Sequence, residues 1–300
     1  MITILTPTYN RAQTLIRLYE SLKRQTCKDF VWLIINDGST DGTDTIIDSF
    51  IKEGQIKIRY YKQQNIGLSQ TLNKGVALTE SDILFRIDSD DYATDDAIEK
   101  IYKYWPLVAN DKDSAGVVFL RSSNQKSIIG NHPFHGIKVS DFFEYRDKYK
   151  GKGDRVEVVK TSVLKEYPFP YFDGEKFVPE GLIWNRIAQR YKATYIPESI
   201  YICEYRLDGF TRSAVINLRK NVSGTTLYYR EIVNLWGTGK ISFSYFFRNS
   251  ILYWRYASFN KQGFFKNASS IPFLANILGI IPGLLIMTMD NMGIKVNSIS

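Results

Sequence analysis

The stretch that decides the fold is ILFRIDSDD, residues 83–91, where a mostly apolar segment runs directly into an acidic cluster. Side chains alternate between the two faces of an extended segment, so Asp88 and Asp90 are expected to point the same way. Carboxylates this close repel one another unless a cation or solvent offsets their charge. The sequence places no cation beside Asp90, so the cluster predicts a site for Mg2+ or Mn2+, which favour oxygen ligands. The alternative is a solvated acidic turn that caps the helix expected after Asp95 and Asp96.

Strand-like apolar segments recur before this cluster and alternate with segments whose apolar residues have helical spacing. This alternation predicts parallel βαβ units with right-handed crossovers, and therefore an α/β fold. The expected strands cover residues 2–6, 31–35, 56–61 and 83–87, with two more at 116–120 and 157–159.

Polar residues follow each of the first four expected strands. They read TPTYNR (6–11), DGS (37–39), KQQN (62–65) and DSD (88–90). Ligands bind beyond the carboxyl ends of the strands in such sheets. An aromatic ring, a cation, an acceptor and a metal site together suit a nucleoside diphosphate. The chain has neither a Gly-x-Gly-x-x-Gly turn nor a Gly-Lys-Ser/Thr loop, so the charge of a pyrophosphate is most simply met by a metal.

Four motifs make the chain resemble the family 2 glycosyltransferases. They are ILTPTYNR (4–11), IINDGSTDGT (34–43), NIG (65–67) with NKG (73–75), and DSDD (88–91), in the family's order and spacing over roughly the first 100 residues. The resemblance implies a GT-A type, Rossmann-like mixed sheet with flanking helices. It also implies inverting transfer of a sugar from a nucleotide-diphosphate sugar, most often a UDP-sugar.

The resemblance further assigns residues to the donor site. Asp88 and Asp90 are expected to hold Mn2+ or Mg2+, and Asp88 also faces the ribose. One departure is Leu72, which precedes Asn73 where many members have Arg. The residues expected to bind the nucleotide-sugar are Thr6, Pro7, Tyr9, Arg11, Asp37, Asn65, Asp88 and Ser89.

A candidate catalytic base lies in FVPEGLIWNRIA, residues 177–188. An inverting displacement needs a base that takes the proton of the acceptor hydroxyl. The family places an Asp or Glu for this role just before an apolar helix that often contains Trp, and Glu180 matches that position. The alternative is a carboxylate that only stabilises the helix dipole, worth about 0.3–1 kcal/mol. Asp173 and Glu175 are the next candidates.

A basic turn follows in YRLDGFTR, residues 205–212, where Arg206 and Arg212 flank a Gly turn. These two cations could fold over the diphosphate as a lid, although an ordinary exposed turn fits the same pattern.

The length and composition predict one catalytic domain with an appendage. The 300 residues, of which 44% are hydrophobic, can bury a substantial core. We expect a nucleotide-sugar-binding half at 1–105, an acceptor-binding half at 106–218, and a basic, aromatic helical region at 219–300. The two cysteines fit a reducing compartment. The N-terminus enters a strand without the basic and apolar segments of a cleaved signal, so a cytoplasmic location is expected.

The C-terminal region concentrates the excess positive charge. Residues 219–266 contain eight Lys and Arg against Glu231 alone, a net charge of +7 in a chain of +8. Basic residues interleaved with aromatic ones suit either nucleic acid or an anionic membrane surface. The uncharged segment Ile271–Met289 favours the membrane, because as a helix it measures roughly 28 Å. Pro and Gly within it favour an in-plane or re-entrant segment, and a buried core hairpin is the alternative.

These patterns predict a cytoplasmic, peripheral or monotopic membrane enzyme on the inner face of the cell membrane. It would extend a glycan or lipid-linked glycan acceptor in envelope or capsular polysaccharide assembly, without binding nucleic acid; the oligomeric state is left open. One alternative is a nucleotidyltransferase, although the Gly-rich, Arg-bearing N-terminal loop of that class is missing. The other is a non-catalytic membrane or nucleic-acid binding protein with a degenerate GT-A site.

Overall fold

The computed structural model of the chain describes residues 1–123, 127–204, 214–260 and 262–292. Its strands are β1 (Ile2–Thr8), β2 (Phe30–Asn36), β3 (Ile58–Lys62), β4 (Ile83–Arg86), β5 (Tyr92–Ala93), β6 (Ser114–Ser123), β7 (Lys138–Ser140), β8 (Arg155–Lys160) and β9 (Lys192–Cys203). The helices are α1 (Ala12–Lys23), α2 (Thr43–Glu53), α3 (Leu68–Leu78), α4 (Ala97–Tyr104), α5 (Thr161–Glu166), α6 (Gly181–Ile187), α7 (Ala214–Lys220), α8 (Val222–Val233), α9 (Phe243–Ala257), α10 (Phe264–Ser269) and α11 (Phe273–Asn291). Short 3-10 and π turns occupy Trp105–Leu107 and Glu144–Lys148.

The described strands form one mixed sheet in the order β3-β2-β1-β4-β8-β6-β9-β5, with β7 paired to β9. Strands β1 to β4 are mutually parallel, as the βαβ pattern predicts, and β8 pairs antiparallel to both β4 and β6. The expected α/β fold is therefore confirmed. Because β8 joins β4, one sheet runs through both expected halves of the catalytic domain.

Both faces of the central strands are covered by helices, which explains their continuous apolar sequences. Ile4 and Trp32 are partners in the register of β1 and β2, and they pack with Leu15 of α1 on one face. Leu5 and Leu33 point to the other face and pack with Leu72 of α3. The residue that departs from the family motif, Leu72, is therefore a core residue between helix and sheet.

The C-terminal helices form a second core around α9. Phe246, Tyr253, Trp254 and Tyr256 are buried, so the expectation that the aromatic residues of this region lie at a membrane interface is wrong for these four. The exposed Phe243 and Phe247 lie in the first two turns of α9, whereas every residue from Asn249 to Ala257 is buried between neighbouring elements that include α8 and α11. The second half of α9 is therefore a core helix with side chains buried all round, which the basic and aromatic composition of the region does not reveal.

Helix α11 is held against α9 rather than standing apart from the protein. Arg255 forms two 2.7 Å hydrogen bonds to Asp290, and the two side chains are only 4% and 6% exposed. A Cβ atom at Gly279 would lie 2.4 Å from the Ser250 carbonyl oxygen, so glycine permits the close approach of the two helices. Within the described residues α11 is the one helix long and apolar enough to cross a membrane, and 17% of its apolar window is buried.

Candidate active site

A large open cleft lies at the carboxyl ends of β1 to β4. Its volume is ≈ 1640 Å³, and it extends from the donor-side motifs to the segment that contains Glu180. Eight of the expected donor and metal residues line its wall: Pro7, Tyr9, Arg11, Asp37, Asn65, Asp88, Ser89 and Asp90. The structure thus brings together residues from four separate motifs, as the parallel topology requires.

Thr6 is the one expected donor residue whose side chain does not reach the cleft. It is fully buried, and its hydroxyl accepts a 2.9 Å hydrogen bond from the Trp32 indole nitrogen. The Thr6 hydroxyl therefore provides the hydrogen-bond acceptor that the buried Trp32 indole N–H requires. Thr8, on the same face of β1 but at its carboxyl end, lines the cleft instead, because the cleft lies beyond the ends of the strands.

Asp37, one of the residues expected to bind the nucleotide-sugar, organises the loop between β3 and α3 at the edge of the cleft. Its Oδ1 accepts hydrogen bonds from the Ile66 amide at 2.9 Å and from the Gln63 side chain at 2.8 Å, and its Oδ2 accepts one from the Gly67 amide at 2.9 Å. Asn65 donates to the Asp37 carbonyl at 3.0 Å. Gly67 has a φ of +90°, and a Cβ there would lie 2.3 Å from the Lys176 carbonyl oxygen. This buried carboxylate thus fixes the loop before any ligand arrives.

The loops after β1 and β2 are joined by hydrogen bonds, and Tyr9 lies beside them at the mouth of the cleft. The Asn10 amide donates to the Ser39 hydroxyl at 2.9 Å, and the Thr40 amide donates to Asn10 Oδ1 at 2.8 Å. Asn10 adopts a φ of +52°, which Asn tolerates better than most residues. Tyr9 is 48% exposed, so its ring is available for stacking.

Arginine side chains surround the acidic cluster, so the expectation that no cation lies near Asp90 is wrong. Arg11 Nε lies 3.8 Å from Asp90 Oδ2, and Arg17 donates to the Asp90 carbonyl. Arg86 contacts Asp88 Oδ1 through Nε at 2.8 Å and through Nη2 at 2.6 Å. The charge of the cluster is therefore partly balanced by the protein itself.

The groups around the acidic cluster shift the pKa values of two neighbouring carboxyls, Asp88 and Asp91, in opposite directions. Burial opposes ionisation of Asp88, yet the guanidinium groups of Arg86 and Arg121 hold its pKa below the ordinary value. Burial and the charges of Asp88 and Asp90 raise the pKa of Asp91 to about 7. The Tyr201 hydroxyl donates to Asp91 at 2.9 Å and accepts the Asp88 amide at 3.1 Å, which ties the cluster to β9.

The chemistry of Asp88 and Asp90 fits a cation that the donor helps to hold. In the described part of the chain no group of three His, Cys, Asp or Glu side chains converges as a complete metal site. Mg2+ commonly binds through one or two carboxylates together with substrate phosphates and waters. Both Arg86 contacts go to Oδ1 of Asp88, which matches a carboxylate shared between a guanidinium and a cation.

Glu180 projects into the same cleft and pairs with the same arginine. It is the residue before α6, its side chain makes no capping hydrogen bond, and its Oε1 lies 2.6 Å from Arg86 Nη1. Arg86 thus connects Asp88 and Glu180, a link that the sequence reasoning missed. A signal was present, because a cation interrupts an otherwise apolar strand two residues before Asp88 and on the same face.

The two substitute candidates for the base are differently placed. Glu175 accepts the Ser223 amide at 2.6 Å and the Gly224 amide at 2.9 Å, so it caps the N-terminus of α8. Asp173 receives a 3.4 Å contact from Tyr171 in an exposed turn. Neither residue lines the cleft. The lid candidates Arg206 and Arg212 lie outside the described residues.

A further carboxylate, the half-buried Glu157 of β8, lies on the acceptor side of the cleft. Burial raises its pKa to about 7, with Arg121 acting in the opposite direction and Glu180 in the same one. Sequence reasoning assigned no function to this residue, since a single Glu in a β-strand has no distinctive spacing.

The sheet, the cleft and its carboxylates define a GT-A type glycosyltransferase. The sequence profile of glycosyl transferase family 2 matches residues 3–169, which is more than half of the chain, so this chain belongs to that family. The protein is a glycosyltransferase, and this membership disfavours the nucleotidyltransferase and non-catalytic alternatives.

Several bacterial proteins are similar in sequence. Glycosyltransferase GlyG of Streptococcus pneumoniae serotype 4 is 29% identical over 230 residues, covering 71% of this chain and 73% of GlyG. An uncharacterised glycosyltransferase of Haemophilus influenzae is 26% identical over 230 residues, covering 74% and 70%. The Staphylococcus aureus poly(ribitol-phosphate) β-N-acetylglucosaminyltransferase TarP is 29% identical over 158 residues, covering 48% of each chain.

Solved structures confirm the fold. S. aureus TarS 1–349 in complex with UDP-GlcNAc superposes with a TM-score of 0.66 at 15% identity, covering 99% of this chain and 93% of TarS 1–349. The Pyrobaculum calidifontis mannosyltransferase PcManGT, in complex with GDP-Man and Mn2+, gives a TM-score of 0.57 at 14% identity, covering 97% and 84%.

Proposed function

We propose that this glycosyltransferase uses a nucleotide-diphosphate sugar, most simply a UDP-sugar, and transfers the sugar with inversion, with Glu180 as the base. The observation that carries the proposal is the Arg86 bridge, which holds Glu180 beside Asp88 in one cleft. A donor bound along the β1 to β4 edge would present its anomeric carbon between these two carboxylates.

The donor would be held by the residues that already order this edge. Tyr9 offers a stacking face, and the loop fixed by Asp37 offers backbone groups to the nucleobase. Arg11 is close enough to the acidic cluster to approach the diphosphate. Mn2+ or Mg2+ bound by Asp88 and Asp90 would supply positive charge for the leaving diphosphate. UDP as the nucleotide is supported by TarS, which was solved with UDP-GlcNAc and with UDP.

The base must release its contact with Arg86, or share it, while it takes the proton. Glu180 is 35% exposed, so an acceptor hydroxyl can reach its carboxylate from the cleft. The contact with Arg86 orients the Glu180 carboxylate before the acceptor arrives. As the hydroxyl attacks, the proton passes to the free face of the carboxylate.

The acceptor is proposed to be a glycan or lipid-linked glycan of envelope or capsular polysaccharide. TarP, a poly(ribitol-phosphate) β-N-acetylglucosaminyltransferase, supports a polymeric acceptor. Attachment to a membrane is supported by the outer face of α11. Phe273, Ile277, Ile281 and Leu285 recur every four residues and are 58–79% exposed, so they form one apolar stripe.

This geometry favours a helix that lies along the membrane surface rather than one that spans it. The face of α11 opposite the stripe is occupied by α9 and the Arg255–Asp290 pair. The exposed Phe264 and Phe265 precede it and would enter the same interface. Free Cys27 and Cys203 agree with the cytoplasmic side of the membrane.

The experiment that tests the donor proposal is a calorimetric screen of UDP-, GDP- and dTDP-sugars with the full-length protein and Mn2+. We expect one nucleotide series to bind, and its sugar to be slowly hydrolysed when no acceptor is present. Hydrolysis must fall in a Glu180→Gln variant that still binds the nucleotide. Failure of every nucleotide-sugar to bind contradicts the proposal.

A further inference from the structure

The acceptor side of the cleft contains two arginines that have no ion-pair partner among the described residues, although the charge of Arg146 acts at longer range on Glu157. Arg146 lies on the turn before β8, and Arg248 lies on α9; both line the cleft that contains Glu180. Among the described residues, no Asp or Glu oxygen lies within ion-pairing distance of either side chain. The Arg248 Nε atom is buried without a hydrogen-bond partner in the same part of the chain. A buried guanidinium nitrogen without a partner is costly, and an anionic ligand would satisfy it.

Two tyrosines complete this arrangement. Burial raises the pKa of the phenols of Tyr228 and Tyr245, and the positive charges of both Arg146 and Arg248 act on each of them in the opposite direction. Both tyrosines line the same cleft as the two arginines. Tyr245 and Arg248 are three residues apart on α9, so they share one face of the helix.

The position of Tyr228 connects this group to the reaction centre. Its hydroxyl oxygen lies 3.0 Å from the place where a Cβ atom of Gly181 would stand, and Gly181 follows the candidate base directly. An anion held by these side chains would thus lie next to the acceptor hydroxyl that faces Glu180.

The surroundings orient the group before a ligand binds. The Arg146 guanidinium stacks over the rings of Phe142 at 5.4 Å and Tyr145 at 5.5 Å, and it donates to the Gly151 carbonyl at 3.3 Å. A stacked guanidinium keeps its in-plane donors directed, which suits bidentate recognition of an oxyanion. Two of the contributing elements, α8 and α9, follow the part of the chain that the family profile matches.

We propose that Arg146, Tyr228, Tyr245 and Arg248 bind a phosphate group of the acceptor and thereby hold its hydroxyl at Glu180. The proposal rests on the proposed function, since it assigns the acceptor class to the same cleft. Two guanidinium forks and two phenols supply more donors than a neutral sugar can use, and they match the oxygens of a phosphate. The phosphate could belong to a phosphodiester-linked polymer or to the diphosphate of a lipid-linked saccharide.

The test is a calorimetric titration of the full-length enzyme with inorganic phosphate while the donor site is saturated with UDP and Mn2+. We expect phosphate to bind to this complex, and Arg248→Gln to weaken that binding by about tenfold or more, as loss of a charge-assisted hydrogen bond implies. Tyr245→Phe should weaken it by a smaller factor. Arg190→Gln is the matched control, because Arg190 is 67% exposed and pairs with Glu166 on the surface.

The UDP affinity of each variant separates the two proposals. If the unmodified enzyme binds neither UDP nor GDP nor dTDP, the proposed function is contradicted; if GDP or dTDP binds instead, that nucleotide replaces UDP in the titration. Normal UDP binding with phosphate affinity unchanged in Arg248→Gln, or with no phosphate bound at all, overturns the acceptor site alone. Glycerol-phosphate oligomers and a prenyl diphosphate in detergent micelles then distinguish the sources. Binding of either one that depends on Arg248 supports the proposal and identifies the source, whereas binding of neither contradicts it.

Discussion

Arg86 Nη1 lies 2.6 Å from Glu180 Oε1, although the two residues are far apart in sequence and belong to a β-strand and to the start of a helix. The other arms of the same guanidinium contact Asp88, and these two carboxylates raise the pKa of Arg86 against the opposing effect of burial. One cation therefore links the donor side of the cleft to the acceptor side.

Replacing Glu180 by Gln tests its role as base. We expect nucleotide-sugar affinity to be preserved and the transfer rate to fall by about 100-fold or more, since the amide cannot accept the acceptor proton. If Glu180 only stabilised the helix, the loss would be under about 1 kcal/mol of stability, with activity kept. The control is Glu175→Ala, which removes the cap of α8 and should cost about 0.5–2 kcal/mol of stability with turnover maintained. Equal turnover in wild type and Glu180→Gln moves the role elsewhere.

Replacing Arg86 by Met removes the cation between Asp88 and Glu180. Asp88 would then lose a guanidinium that holds its pKa below the ordinary value, so the acid limb of the pH–rate profile should move to higher pH. Arg86→Lys keeps the positive charge but loses the planar guanidinium that contacts both carboxylates. This variant should therefore have a pH profile close to that of the wild type and a lower rate. A purely structural arginine would instead lower the unfolding free energy of both variants and leave the acid limb unmoved.

The metal prediction follows from the incomplete set of ligands at Asp88 and Asp90. We expect the protein to bind Mn2+ weakly by itself and more tightly once UDP is present, because phosphate oxygens complete the coordination. Asp90→Asn should weaken nucleotide-diphosphate binding sharply and leave the fold intact, since the site lies at the edge of the sheet. Calorimetry with and without EDTA measures both effects. UDP affinity that is undiminished in excess EDTA would mean that Arg11 and its neighbours hold the diphosphate without a metal.

The raised pKa of Glu157 predicts a pH dependence of stability. Burial raises this pKa to about 7, so between the ordinary Glu value and pH 7 the folded state binds more protons than the unfolded state. The contribution of Glu157 to stability is therefore present at low pH and is lost as the pH rises to about 7. Glu157→Gln should flatten this part of the curve. Urea midpoints of the two proteins at pH 5 and pH 8 give the comparison, and parallel curves would contradict it.

The nucleotide-sugar-binding half could be predicted closely from the sequence, because its strands and motifs are each encoded in a short stretch of neighbouring residues. The spacing of the apolar residues and the polar residues that follow them locate β1 to β4 in the sequence. Because these strands are parallel, Tyr9, Asp37 and Asp88 must then lie at one edge of the sheet. The Arg86–Glu180 contact could not be predicted, since it depends on how β4 and α6 meet in space. Trp254 was misplaced for a related reason: whether an aromatic residue faces solvent or core depends on α11, which lies later in the chain.

The apolar stripe of α11 gives the membrane prediction. An Ile277→Gln/Ile281→Gln double variant should lose most of its binding to anionic vesicles, because each buried Ile contributes about 1.5–3 kcal/mol. These two side chains are 58% and 70% exposed, so the change should leave the fold intact. Truncation after Lys266 would be less informative, because it removes Ile271 and Ala275 from the second core.

The matched control is Leu107→Gln, which changes a side chain that is 54% exposed on a different surface and should bind like the wild type. Flotation with anionic and neutral vesicles, at low and high salt, separates two contributions. Apolar insertion persists in salt, whereas attraction between the basic region and anionic headgroups is screened. A full-length protein that stays in solution and ignores anionic vesicles would assign the stripe to contact with a second copy of the chain. The lipid-linked acceptor would then lose its main structural support.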